Sequence, residues 1–115
     1  MNIVMLVGNL GENAKVINTN SGNDLVKLVV ATRSLSNPDQ APDWHTVVVK
    51  GKLALICQRC IKGQKVAIKG YLHTRSWVDS QGQKQYRTEV VAEEVEFHSK
   101  LGPKLEDSSE DTGTD

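Results

Sequence analysis

Short runs of β-branched and apolar residues alternate along this chain with clusters of glycine, asparagine, serine and proline. Such runs predict strands, because branched side chains pack well on a pleated surface and the intervening residues favour turns. The five strands predicted in this way span residues 3–7, 25–32, 44–50, 65–77 and 86–97. Residues 16–17 are predicted as a short continuation of the first strand. The chain is therefore predicted to fold mainly as β-structure.

One segment has the spacing of a helix instead. Between residues 52 and 61, apolar side chains recur every three or four positions, at Leu53, Ile56, Cys57 and Cys60, which is typical of a short amphipathic helix. The order of elements fits an all-β domain: a five-stranded Greek-key barrel of the oligonucleotide-binding (OB-fold) type, with one short helix between strands 3 and 4. A ferredoxin-like fold would need a second helix.

Two local signals add detail to the predicted barrel. Gly70 lies inside the fourth strand, where a glycine suggests a bulge or a sharp bend of the kind that a barrel corner needs. Residues 79–82, with the sequence DSQG, predict the hairpin turn that joins the last two strands.

Charge is distributed unevenly along the 115 residues, although the formal net charge is zero. Residues 1–100 contain thirteen basic and nine acidic residues, whereas residues 101–115 contain one basic residue and five acidic ones. We therefore predict a barrel domain at 1–100 and a short acidic disordered tail at 101–115. From 44 to 88, nine basic residues accompany a single acidic one, Asp79, which indicates an anionic partner.

Motifs for catalysis are absent from the sequence: it has no P-loop, no dinucleotide-binding glycine motif, no nucleophile elbow and no HExxH zinc motif. The three histidines, at 45, 73 and 98, are scattered among the predicted strands. We therefore expect a protein that is not an enzyme and that uses no cofactor and no metal. No apolar run approaches the roughly 20 residues of a membrane span, and no signal peptide is recognisable, so a cytoplasmic location is expected.

The motif Cys57-Gln-Arg-Cys60 leaves two interpretations open. A redox CxxC pair usually lies at the N-terminus of a helix in a βαβ unit, where the thiol pKa is lowered. Here both cysteines fall late in the predicted helix, at apolar positions, which favours core packing over a thiol oxidoreductase. Two thiols alone also cannot complete a four-ligand zinc site.

Aromatic and basic residues are interleaved within the basic segment. Trp44 precedes Lys50 and Lys52, Trp77 follows Arg75, and Tyr86 precedes Arg87. Proteins that bind single strands need this mixture, because bases stack on aromatic rings while lysine and arginine follow the phosphates. Packing of the tryptophans in the core of a small barrel is the alternative.

Several short strings occur here in the order in which they occur in the bacterial single-stranded DNA-binding protein (SSB) family. They are VGNLG at 7–11, WH at 44–45, GKLA at 51–54, TRSW at 74–77 and TEVV at 88–91. The chain resembles this family over about residues 1–98.

The resemblance implies an OB-fold barrel that binds single-stranded DNA without sequence preference, in replication, recombination and repair. It implies base stacking by Trp44 and Trp77 and phosphate contacts by Lys52, Lys62 and Arg75. With the basic and aromatic pattern added, the candidate DNA-binding residues are Trp44, Trp77, Lys50, Lys52, Lys62, Lys69, Arg75, Tyr86 and Arg87.

The resemblance also implies assembly into a homotetramer of two dimers. The first strand resembles the one that pairs between subunits, which makes Ile3, Met5 and Val7 candidate interface residues, and His45 resembles a histidine near that interface. A dimeric primosome-type accessory protein built on the same barrel is the alternative function, and the intact pair of Trp44 and Trp77 favours the single-strand binder.

The chain departs from the family pattern at three places. Lys50 and Ser36 stand where the family has aromatic residues, so two stacking positions are missing. Replication and repair enzymes are partners of the family through a tail with apolar residues at its tip. The tail here, LEDSSEDTGTD, has no such tip, so docking of these partners is not expected.

Overall fold

A computed structural model describes residues 1–18 and 24–98, and the predicted acidic tail at 101–115 lies outside these ranges. Within them, six strands and one helix follow one another in the predicted order. The elements are β1 (Val4–Leu10), β2 (Lys15–Asn18), β3 (Asp24–Thr32), β4 (Asp43–Lys50), α1 (Gly51–Cys57), β5 (Lys65–Val78) and β6 (Lys84–Phe97). The predicted continuation of the first strand is the separate strand β2.

Five of these strands close a ring of hydrogen-bonded neighbours. The order is β1, β5, β6, β4, β3, and the end of β1 returns to β3 through the pairs Asn9–Ala31 and Leu10–Val30. Strands β4 and β6 run parallel, the other neighbours in the ring run antiparallel, and β2 pairs with β3. The predicted five-stranded barrel with a single helix is thereby confirmed.

The barrel core is filled by the inward side chains of the strands and by one side of the helical segment. Successive residues of a strand point to opposite faces, so every second residue enters the core. The buried residues of β3, β4 and the helical segment are Val26, Leu28, Val30, Val47, Val49, Ala54, Cys57 and Cys60. The interpretation of the two cysteines as core residues is confirmed.

Helix α1 ends at Cys57, so the prediction that it continues to residue 61 is wrong. Beyond Cys57, the N–H groups of Arg59 and Cys60 donate to carbonyls three residues back, which winds the chain into a tighter turn. The apolar spacing that suggested a longer helix therefore reflects core packing. In the part of the chain that the structure describes, no helix is long and apolar enough to cross a membrane.

Strand β6 contains a bulge opposite Gly70, as the internal glycine predicts. Lys69 pairs with Glu94 but Gly70 pairs with Ala92, so Glu93 is an additional residue on β6. The bulge reverses the alternation of β6: odd-numbered residues face outward before it and even-numbered residues after it. Residues on either side of Glu93 therefore cannot be assigned to faces by simple counting.

The substitution Gly70→Ala is expected to lower the free energy of unfolding by about 1–3 kcal/mol. A Cβ atom at this position would overlap the backbone carbonyl of Val91, which is held in the β5–β6 ladder. Chemical denaturation of both proteins measures the change, with Ser76→Ala as an exposed control on the same strand. Equal stability of Gly70→Ala and the parent would show that the barrel tolerates a wider spacing here.

The predicted turn at 79–82 joins β5 to β6. The Asp79 carboxylate accepts hydrogen bonds of 2.9–3.0 Å from the backbone N–H groups of Gln83 and Gln81 and from the side-chain amide of Gln85. The bonds from Gln83, Gln85 and Gln81 hold the pKa of Asp79 below its ordinary value. This carboxylate thereby fixes the register of the hairpin that carries Trp77.

Candidate nucleic-acid interface

A groove of about 430 Å³ crosses the outer surface of the barrel between β2 and β6. Four neighbouring strands each contribute one cation to it: Lys27 from β3, Lys50 from β4, Arg75 from β5 and Arg87 from β6. The remaining lining residues include the apolar side chains of Leu25, Val48 and Val91, the ring of His73 and the carboxylate of Glu89. Because cations outnumber carboxylates in this groove, it favours an anionic chain over a neutral one.

The alternation of the strands explains why these cations face outward. Val26 and Leu28 of β3 are buried in the core, so Lys27 between them points to the opposite face. Lys27 pairs with Val48 across the sheet, and Lys50 follows Val48 on the same outer face. A lysine inside the apolar run LVKLVV is thus a signal for the groove that the sequence analysis missed.

Trp77 lies next to the groove on β5, in contact with one of the lining cations. The guanidinium carbon of Arg75 lies 4.7 Å from the centroid of the Trp77 ring. Arg75 in turn donates two hydrogen bonds to Glu89, from Nε to Oε1 at 3.1 Å and from Nη2 to Oε2 at 3.5 Å. Glu89 was not among the residues predicted from the sequence. It connects the groove to the Trp77 side chain through Arg75.

Trp44 lies on the outward face of β4, which it shares with Val48 and Lys50. Its indole packs over Gly11, where a Cβ atom would overlap the ring. The exposed fractions are 57% for Trp44 and 40% for Trp77. Both rings therefore retain surface on the same side of the barrel as the groove, and the core-packing alternative for the two tryptophans is excluded.

Four of the other sequence-predicted residues lie outside the groove. Tyr86 faces the opposite side of the hairpin from Trp77, since Ser76 is its cross-strand partner, and Lys84 lies 5.6 Å from its ring centroid. The remaining three are Lys52 on α1, Lys62 in the turn that follows the helix, and Lys69 on the part of β5 that pairs with β1. The structure thus brings together Lys50, Arg75, Arg87 and Trp77.

The four candidate interface residues occupy two different environments. Ile3, directly before β1, and Met5 and Val7 on it are exposed. Met5 and Val7 line a shallow cavity of about 190 Å³ together with Lys69, Glu94 and Glu96. His45 is half-buried on the inner side of β4, with its Nε2 atom 2.8 Å from the hydroxyl oxygen of Thr32. The outward face of β1 is therefore apolar and exposed in the single chain.

Cys57 and Cys60 lie in the barrel core and do not line the groove. A hydrogen bond between the two thiols, together with burial, raises the pKa of Cys57, and the same hydrogen bond lowers that of Cys60. Both side chains are buried, so neither sulfur presents a surface to a substrate disulfide. Within residues 1–18 and 24–98, no three His, Cys, Asp or Glu residues are grouped so as to hold a metal ion.

Comparison with known proteins finds relatives that share the name single-stranded DNA-binding protein. Over 104 residues it is 40% identical to single-stranded DNA-binding protein 1 of Chlorobaculum tepidum, covering 84% of this chain and 64% of that protein. Over 109 residues it is 35% identical to the single-stranded DNA-binding protein of Rickettsia typhi, covering 88% of this chain and 70% of that protein. The chain thus spans about two-thirds of the length of these relatives.

A solved structure of the Plasmodium falciparum SSB complex with ssDNA superposes with a TM-score of 0.69 at 27% sequence identity, covering 86% of this chain and 96% of that one. A family model described as the single-strand binding protein family matches residues 1–98. Since that match includes all the strands of the barrel, this chain belongs to the single-strand binding protein family.

Proposed function

We propose that this protein binds single-stranded DNA without sequence preference and protects it during replication, recombination and repair. The observation that carries the proposal is the placement of two exposed tryptophans on the same outer surface as a groove lined by four cations. The names of the relatives and the DNA-bound state of the related structure support it.

The chemistry of the proposed complex is non-covalent. Bases stack on Trp44 and Trp77, and every base has a ring face, so stacking carries no sequence preference. Lys27, Lys50 and Arg87 neutralise phosphates, and each phosphate contact releases condensed counterions. No covalent bond is made or broken, so the proposed binding needs neither a catalytic residue nor a cofactor. The proposal implies that the protein acts in the cytoplasm, at the nucleoid.

A titration with oligonucleotides tests the proposal. Oligo-dT is expected to quench the tryptophan fluorescence, and oligo-dA and mixed-sequence strands are expected to bind with similar affinity. A duplex of the same length should bind much more weakly, because its bases are stacked on each other and unavailable. Equal affinity for duplex and single strand would show that the groove binds only charge, and no binding to any strand would overturn the proposal.

We further propose that the protein assembles as a homotetramer of two dimers through β1. Met5 is 74% exposed and shares its face with Ile3 and Val7, so an apolar stripe stands open to water in the single chain. Open apolar surface of this kind along a strand is commonly covered by another chain. The chemistry of the stripe fits a second copy, in which the same side chains meet their equivalents.

Introducing a charge into this stripe is expected to break the assembly. We expect light scattering to give the parent a mass near four times that of the 12.6 kDa chain and Met5→Lys a clearly lower mass, because the new ammonium would have to be buried at the interface. Val16→Lys, on an exposed apolar position of β2, is the control and should leave the mass unchanged. A monomeric parent would refute the assembly, and a dimeric parent would favour the accessory-protein alternative.

A further inference from the structure

The side chain of Arg75 is held by contacts within the protein, in contrast to the side chain of Arg87 on the neighbouring strand. Two of its guanidinium nitrogens donate to the carboxylate of Glu89 at 3.1 and 3.5 Å, and its planar group lies 4.7 Å from the Trp77 ring centroid. Arg87 is its direct cross-strand partner on the same face. Among the residues that the structure describes, the side chain of Arg87 makes no hydrogen bond or ion pair.

Glu89 is unexpected in a groove that holds a polyanion. Its side chain is only 9% exposed, and a buried carboxylate that repels phosphates should weaken binding unless it serves another purpose. The two hydrogen bonds to Arg75 satisfy both of its oxygens. They also hold the guanidinium in one orientation, which is the orientation that covers part of the Trp77 ring.

We propose that Glu89 and Arg75 are positioning residues that hold the Trp77 ring ready for a base, and that Arg75 does not neutralise a phosphate. The proposal rests on the proposed binding of single-stranded DNA. The guanidinium supports the indole by lying over one part of it, because a planar cation prefers to lie over an aromatic ring. A ring that is already oriented loses less conformational freedom when a base stacks on it.

The dependence of affinity on salt separates a positioning arginine from a phosphate contact. Each phosphate contact on a single strand contributes about 0.7 to the slope of log affinity against log salt. Arg87→Ala, which removes a free cation, is expected to make the slope shallower by about 0.7. Arg75→Ala is expected to leave the slope unchanged while lowering the affinity roughly two- to fivefold, the range of an exposed cation–π contact.

Glu89→Gln, unlike Arg75→Ala, is expected to change the salt slope. The amide no longer pairs with the guanidinium as an anion, so Arg75 is released toward the DNA and the slope becomes steeper by about 0.7. If Glu89 did not restrain Arg75, this substitution would leave the slope as in the parent. Binding is measured by the anisotropy of labelled oligo-dT, which does not depend on tryptophan emission.

Tryptophan emission of the protein without DNA tests the positioning role separately from the proposed binding of single-stranded DNA. In a Trp44→Phe background, Trp77 is the only tryptophan, and its emission reports on the guanidinium beside it. Arg75→Ala and Glu89→Gln should both change this emission without DNA, whereas Arg87→Ala should not.

Two results would overturn the positioning role. One is a slope for Arg75→Ala that falls as far as that of Arg87→Ala, and the other is Trp77 emission that is the same in all the variants. If the parent itself does not bind oligo-dT, the proposed function fails, and the emission measurement still decides whether Glu89 and Arg75 hold the ring.

Discussion

Replacing either Trp44 or Trp77 by alanine is expected to weaken binding to oligo-dT by about 1–3 kcal/mol, the loss typical of one base stacked on an aromatic side chain. A tenfold change in affinity corresponds to about 1.4 kcal/mol, so each substitution should be clearly visible. The resemblance described above implies two further aromatic positions, which this chain fills with Lys50 and Ser36. The two tryptophans are therefore expected to carry a larger share of the stacking than they would in a chain with four rings.

The fold should survive both substitutions, because both indoles are partly exposed and neither belongs to the barrel core. Thermal unfolding of each variant checks this. Trp44→Phe and Trp77→Phe are the matched controls, and they should recover most of the lost affinity since phenylalanine retains a ring face. Labelled oligo-dT is the probe, as the variants have lost part of their own fluorescence. Unchanged affinity in a folded alanine variant would remove that tryptophan from the interface.

Exchanging Lys50 is expected to change how binding responds to salt. Lys50 precedes α1, its side chain makes no hydrogen bond to the helix N-terminus, and it lines the groove. Lys50→Ala should therefore make the slope of log affinity against log salt shallower by about 0.7, the contribution of one phosphate contact on a single strand. At low salt, where the release of counterions contributes most to the affinity, the variant should also bind more weakly than the parent.

Lys50→Phe separates charge from stacking at the same position. It should show the same shallow slope as Lys50→Ala, yet bind more tightly at high salt, because the new ring restores a stacking surface. Lys84→Ala is the control of equal charge: Lys84 lies on the side of the hairpin that carries Tyr86, and its loss should leave the slope unaltered. Salt slopes equal to the parent's in both Lys50 variants would show that this side chain does not face DNA.

Local sequence signals were enough to predict the elements of the barrel. The β-branched runs mark the strands, the single glycine at 70 marks the bulge, and Asp79 begins the turn. The strand and turn signals act through neighbours in the chain, by steric fit or by hydrogen bonds a few residues away, whereas Gly70 makes room for the carbonyl of Val91 on the partner strand. The C-terminal end of α1 was mispredicted because Cys60 contributes to the core from a turn, and spacing alone does not distinguish a turn from a helix.

The composition of the groove depended on contacts between strands that are distant in sequence. Lys27 and Glu89 join Arg75 only because β3, β4, β6 and β5 are neighbours in the ring. Tyr86 and Trp77 share a basic stretch of sequence but face opposite sides, since the register of the hairpin sets Tyr86 opposite Ser76. A shift of one residue in that register would exchange the two faces.

The sequence by itself therefore determined the order of the elements, the single-strand-binding family and the two kinds of side chain that the interface needs. Only the tertiary structure decided which cations meet in one groove and that Arg75 is paired with Glu89, whereas the side chain of Arg87 has no partner among the described residues. The reason is physical: strand and turn preferences are local properties of the chain, whereas the face that a side chain occupies and the partner it finds depend on strand pairing across the whole barrel.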